Sequence, residues 1–206
     1  AAFSSMATRI LATRWRALTV TRIVDESASI RSFYLAPADG LALLPHEAGQ
    51  HLPIRVTPAD ATAPLIRTYT LSLAPSDGAY RISVKREGVV SRHLHDHVRG
   101  GDVIEARAPA GAFTVDAREP RPLVLLAGGV GITPMLAMLR HIVYEGLRKQ
   151  RVRPTVLIQA ARSLAERPFD AEVSELVAAA KGAVKLVRVL SDTSGAEAGR
   201  DYDAAG

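Results

Sequence analysis

The feature that most constrains this chain is a change of periodicity near residues 118–122. Before it, short runs rich in Val, Ile, Thr and Tyr are separated by Pro, Gly, Asp and Ser, which reads as one strand after another. The runs 17–24, 30–36, 52–56, 67–73, 80–85 and 103–107 predict six strands, and their spacing suggests a closed antiparallel barrel. After the change, the spacing predicts strand 123–127, helix 134–147, strand 155–159, helix 169–180 and strand 184–190. That alternation implies a parallel sheet built from right-handed crossovers. The Ala/Gly-rich tail 193–206 reads as a loop. Residues 1–14 read as a linker or frayed end, 15–118 as a barrel domain and 119–206 as an α/β domain.

Composition then excludes several classes. At 206 residues and 48% hydrophobic, the chain can bury a real core. No run approaches the roughly 18 apolar residues of a membrane span, so no membrane anchor is expected. With no cysteine there is no disulfide, thiolate zinc site, cysteine-held iron–sulfur cluster or cysteine nucleophile in these residues, and cytoplasm is the simplest compartment. The net charge of +5 is modest. Before Asp25 there is no acidic residue, while Arg9, Arg14, Arg16 and Arg22 sit among alanines and serines. Such a pattern is shared by organellar transit peptides, although Trp15 onward already reads as strand. No nucleic-acid partner is expected, because the basic residues are scattered and four Phe and one Trp offer little base stacking.

Three segments carry chemistry. Gly128-Gly129-Val130-Gly131-Ile132-Thr133-Pro134 is a glycine turn between a hydrophobic strand and a helix, with Thr133 as an N-cap and Pro134 at the first helical position. The glycines permit close approach, and the helix start favours phosphate, so a dinucleotide is the expected guest, although the spacing is not G-x-G-x-x-G and a glycine turn after a strand is often only a tight turn. Gly88-Val89-Val90-Ser91 opens a second short helix, with Ser91 as its cap and Lys85, Arg86 and Arg92 nearby. Arg67-Thr68-Tyr69-Thr70 is a strand bearing a charge and a phenol where a buried strand would carry aliphatics. A fourth stretch, His93-Leu94-His95-Asp96-His97, invites a metal-hydrolase reading, but on a helix His95 points away from His93 and His97, so no metal site is expected.

In this order, R-x-Y-[ST], G-x-x-S and G-G-x-G-[IL]-T-P, the segments resemble the flavin reductase family typified by ferredoxin–NADP reductase, especially the reductase portion of flavohaemoglobins and related oxygenase reductases. The likeness runs from about Trp15 to the C-terminus, with smaller echoes at Ala48-Gly49-Gln50-His51 and at Ala108 to Phe113. It implies a six-stranded antiparallel flavin-binding barrel followed by a partial parallel α/β nucleotide-binding domain, with FAD as cofactor and NAD(P)H as substrate. By carry-over, Tyr69 covers the isoalloxazine ring, Arg67 pairs with the pyrophosphate and Thr70 meets flavin N5. Tyr69 and Thr70 are thus the implied catalytic pair, with Thr68 between them. Val84 and Lys85 would line the ring and ribityl chain. Backbone N–H groups of Gly88, Val90 and Ser91 would hold the pyrophosphate, and His51 would replace an aromatic near the cofactor. Because Thr70 alternates away from Tyr69, the carry-over needs the alternation to relax at the barrel rim. Gly128 to Pro134 would receive NAD(P)H. Arg162, after the second parallel strand, would lie near the adenosine ribose, either meeting a 2′-phosphate or simply solvated.

The resemblance also implies an electron acceptor of iron–sulfur or haem type outside these residues. Relatives continue past a third parallel strand to a C-G-P-type motif, so a fragment of a longer polypeptide is expected. A flavin-binding module without turnover is the alternative that this incompleteness leaves open.

Overall fold

The computed structural model describes residues 14–206, so all but the last residue of the expected 1–14 linker, and Arg9 with it, lie outside the described residues. Six strands form the first sheet: β1 (Arg16–Asp25), β2 (Ile30–Pro37), β3 (His51–Val56), β4 (Leu65–Thr70), β5 (Tyr80–Lys85) and β6 (Val103–Ala106). Their order is β4-β3-β6-β1-β2-β5, every pairing antiparallel. The sheet curls until its two ends meet: Leu71 bridges Ile82, and the Ser72 N–H donates to the Arg81 carbonyl at 2.8 Å. Leu18, Phe33, Leu35, Leu52, Ile54 and Ile82 fill the interior. Helix α1 (Val89–His97) follows β5 and turns Val90 and Leu94 into the same core.

The second module is β7 (Leu123–Gly128), α2 (Ile132–Arg148), β8 (Thr155–Ala161), α3 (Asp170–Ala179), β9 (Val184–Leu190) and β10 (Ala204–Ala205). Its sheet is parallel, in the order β10-β9-β8-β7. Leu125, Ala127, Leu136, Leu139, Leu157 and Val173 form its core between sheet and helices. Two expectations need correction. The tail is not all loop, because Asp203 and Gly206 donate N–H groups to the Arg188 and Leu190 carbonyls and so pull Ala204–Ala205 into the sheet. Alanine carries no strand signal, so composition hid this.

Helix α2 also begins two residues before Pro134. Gly129–Gly131 form a 3-10 turn that runs directly into it, with Gly131 as N-cap. Thr133 is therefore inside the helix, its Oγ1 donating to the Val130 carbonyl at 3.1 Å, and it is not the cap. Pro134 still falls within the first turn, where a missing N–H costs nothing. Among the described residues, no helix is long and apolar enough to cross a membrane.

Candidate functional site

Strand β4 answers the question its sequence raises. Ile66, Arg67 and Thr68 are exposed, and Tyr69 and Thr70 only half-buried, because β4 is paired on one side alone. In the β3–β4 ladder Leu52 faces Tyr69, Ile54 faces Arg67 and His51 faces Thr70. Directly opposed residues share a face. Arg67 and Tyr69 thus lie on the side of buried Leu52 and Ile54, and Tyr69 packs on the barrel core. Thr70 and His51 lie on the outer side. Alternation holds through Thr70, so the expected relaxation at the rim does not occur.

The other edge of β4 is open. Because the Ser72 N–H turns toward β5 and the Leu71 N–H toward the Gln50 carbonyl on the β3 side, the backbone groups of Thr70 and Thr68 face the gap where β4 and β5 diverge. Burial pushes the Tyr69 phenol up, opposed by the charge of Arg67. Among the described residues the Arg67 guanidinium donates only to the neighbouring Ile66 carbonyl, at 2.7 Å.

Lys85 and the start of α1 lie just beyond, at the end of β5. Lys85 is half-buried and ion-paired with Glu87. Val84 is fully buried in the barrel core, so its side chain cannot line a ligand, and its carbonyl accepts from His95 Nε2 at 2.8 Å. Ser91 is not the cap either. Gly88 is the N-cap, and Ser91 Oγ accepts the N–H groups of Glu87 (3.0 Å) and Gly88 (2.8 Å) while donating to the Gly88 carbonyl. The first helical bond is from Arg92 N–H to that carbonyl. Ser91 therefore ties down the turn. The N–H groups left for an anion are those of Val89, Val90 and Ser91, in the first turn. Val90's side chain, like Val84's, belongs to the core.

The second group sits at the carboxyl edge of the parallel sheet. Gly128 pairs with Ala160, two residues before Arg162, which is exposed. The Gly129–Gly131 turn approaches β5, where the two modules meet. A Cβ built on Gly88, Gly128, Gly129 or Gly131 would meet nothing within 4 Å. By contrast, a Cβ on Gly49 would lie 2.1 Å from the Phe113 carbonyl oxygen, and one on Gly146 would lie 2.5 Å from Val152 Cα. Protein packing demands glycine at 49 and 146. At 88, 128, 129 and 131 no protein atom of the described residues occupies the space beside the backbone, so packing alone does not require glycine there. Ile132 and Thr133 are buried, so only their backbone can face that space.

The histidine cluster separates. The His93 and His97 rings lie 5.3 Å apart at a tilt of 37°, whereas His95 turns inward against Phe33. Among the described residues no three His, Cys, Asp or Glu side chains converge to hold a metal. Motif reading also passes over four charged residues that the fold brings together. Arg81 of β5 grips Glu172 of α3 at 2.8 and 3.1 Å, and Arg140 of α2 binds Glu172 at 2.6 Å and Asp77, in the turn before β5, at 2.8 and 2.9 Å. Its signal was an arginine inside an otherwise well-formed strand.

Comparison with known proteins matches two family models, an oxidoreductase FAD-binding domain over residues 17–115 and an oxidoreductase NAD-binding domain over residues 125–203. The Flavohemoprotein of Bordetella pertussis is 41% identical over 200 residues, 93% of this chain and 48% of the relative. The chain thus spans about half the length of that curated relative. The crystal structure of the flavohem-like FAD/NAD-binding domain of nitric oxide dioxygenase from Vibrio cholerae superposes with a TM-score of 0.81 at 34% identity, covering 93% of this chain and 78% of that one. Flavohemoglobin from Malassezia yamatoensis, solved with bound FAD and heme, shares the fold, with a TM-score of 0.76 at 24% identity over 93% of this chain and 48% of that one.

Proposed function

Because this chain belongs to the flavohaemoglobin-type family of FAD- and NAD-binding oxidoreductases, we propose that it is the reductase part of an electron-transfer flavoenzyme that takes a hydride from NAD(P)H. One observation carries the reading: beyond the Leu71–Ile82 bridge the second edge of β4 has no strand paired to it among the described residues, and that edge faces β5, whose end at Lys85 leads into the first turn of α1. When bound there, FAD accepts two electrons as a hydride and passes them on singly.

The chain's own residues do the holding. Tyr69 reaches the β4 edge from the inner side and Thr70 from the outer, so a planar ring along that edge meets both without any relaxed alternation. Thr68 and Thr70 present backbone groups to it. The Arg67 fork, held only by its neighbour's carbonyl, is free to turn to a pyrophosphate, which the N–H groups of Val89, Val90 and Ser91 would receive. Gly128 to Gly131 would admit the nicotinamide nucleotide beside them, with Arg162 at the ribose end. The domain boundary near residue 118 separates these two tasks.

The acceptor is proposed to be a haem group supplied from outside the described residues, as the relatives' names and the heme of the Malassezia protein support. The test is direct. Chromophore released from the purified protein should be FAD, and stopped-flow mixing with NADH or NADPH should bleach it with a saturable dependence on nucleotide. FMN, or a flavin that neither nucleotide reduces, would refute the proposal.

A further inference from the structure

Two ion pairs join the modules, and both end on one point of the flavin-side barrel. Arg81, 2% exposed, sends its guanidinium across to Glu172, while Arg140 reaches back to Asp77. Arg140 also binds Glu172, so the four side chains alternate in charge along one chain of contacts. Arg81 does more than pair. Its Nε donates to Ser72 Oγ and its NH2 group to the Ser72 carbonyl, each at 2.8 Å, while the Ser72 N–H donates back to the Arg81 carbonyl. Ser72 Oγ in turn contacts Ser83 Oγ at 2.8 Å, and Ser83 contacts Ser32. Ser72 lies two residues after Thr70, just past the end of β4, where Leu71 turns into the barrel core and Ser72 joins Arg81 and Ser83.

The backbone of the second module is strained at the same place. Phe169 is buried in the left-handed region (φ 62, ψ 24), unusual for a bulky residue, and its ring lies under the Arg81 guanidinium at 5.0 Å. Asp170 then opens α3, and Glu172 stands in its first turn. The strain aims one ring and one carboxylate at a single arginine of the barrel.

We propose that Asp77, Arg81, Arg140 and Glu172 are positioning residues: a rigid latch that fixes the angle between the two modules and, through Ser72, the place of Thr70 relative to the Gly128–Gly131 turn. The inference rests on the reductase reading above. Hydride transfer tolerates little error in approach, and a misplacement of about 1 Å costs on the order of a hundredfold in rate. A latch of bidentate arginines in a largely buried interface supplies that stiffness, because each guanidinium fork fixes orientation as well as distance.

The near-isosteric changes Asp77→Asn and Glu172→Gln test it in the FAD-loaded protein. Four quantities are read: FAD affinity from flavin fluorescence, nucleotide half-saturation, limiting rate of flavin reduction, and the calorimetric unfolding trace. The expected result is FAD affinity and half-saturation within about threefold of wild type, with a limiting rate lowered roughly ten- to a hundredfold. The single unfolding transition should also broaden or split as the modules uncouple. An unchanged limiting rate, or a rate that falls only in proportion to lost FAD, would overturn the latch. Failure of the underlying reading looks different: wild-type protein would hold FAD yet resist both nucleotides. In that case an unfolding trace left unchanged by the substitutions would overturn the latch by itself.

Discussion

Thr70 and His51 stand directly opposite one another across the β3–β4 ladder, and the His51 ring is boxed in by Gly111, where a Cβ would come within 2.9 Å of Nδ1. The Ala110 backbone bonds His51 in both directions at 2.9 Å. The loop before the second module therefore holds His51, and His51 flanks Thr70. The hydroxyl at 70 is thereby offered on the outer face from a rigid strand end. Thr70→Val keeps the β-branched shape the strand favours and deletes only the hydroxyl. Stability should change by less than about 0.5 kcal/mol. Flavin affinity should fall by about 0.5–1.5 kcal/mol, roughly two- to twelvefold, the worth of one neutral hydrogen bond. A fluorescence titration showing no loss would remove Thr70 from the site.

Arg67→Ala should separate binding from folding still more sharply. Its guanidinium is exposed and among the described residues hydrogen-bonds only the adjacent Ile66 carbonyl, so the melting temperature should not move. A charge-assisted contact to a pyrophosphate is worth about 1.5–3 kcal/mol, which predicts flavin affinity weakened roughly 10- to 150-fold. Equal affinity in variant and wild type would mean that Arg67 is only a solvated edge residue.

Two glycines, one capping α2 and one within it, make opposite predictions. At Gly131 the backbone is ordinary (φ −62) and a side chain would enter open space, so Gly131→Val should fold normally while raising the nucleotide half-saturation in stopped-flow reduction. At Gly146 a Cβ meets backbone, so Gly146→Ala should lower the melting temperature and leave half-saturation alone. If Gly131→Val reduced with unchanged concentration dependence, the turn would be a turn and nothing more.

Much of this was legible along the chain because it depends on local pattern. Period-2 runs ended by Pro, Gly and Asp marked all six barrel strands to within three residues, and the switch to alternating strand and helix marked the parallel sheet. Helix starts were less legible. Ser91 and Thr133 both have the chemistry of a cap, yet each lies inside its helix, because the preceding glycines take the cap position. Side-chain direction was hidden as well: Val84 and Val90 sit beside cofactor motifs but serve the barrel core. The latch was illegible for a different reason. Arg81 and Glu172 are 91 positions apart, and nothing local couples a strand arginine to a helix glutamate. What could have been noticed is polar alternation, since Arg81 and Ser83 both break the apolar run of β5 on one face.

Acid should loosen the contact between the modules through two histidines that no motif singles out. His46, before β3, lies edge-on to Tyr80 at 5.5 Å, and His141 projects from α2. Both border a cavity of about 580 Å³ walled also by Asp116, Arg118, Glu145 and Arg148. Burial is the main cause that pushes each imidazole below its ordinary value. For His46 the Leu73 carbonyl and Asp77 oppose it and His141 adds to it. For His141, Glu145 and Asp116 oppose it while Arg148 and Arg118 add to it. A lowered folded value means that the unfolded chain takes up protons first. The contribution to stability is therefore complete above the unfolded value of about 6.5 and is lost as the pH falls through the folded values. Exposed carboxylates such as Asp39 and Asp201, held at about 2 by Arg16 and Arg200, titrate below that window. Melting temperatures measured between pH 8 and 5 should fall on the acid side of about 6.5. The double variant His46→Gln/His141→Gln, which cannot titrate there, should lose most of that slope. If its melting temperature followed pH as steeply as wild type, the sensitivity would lie elsewhere and these two imidazoles would be ordinary packing residues.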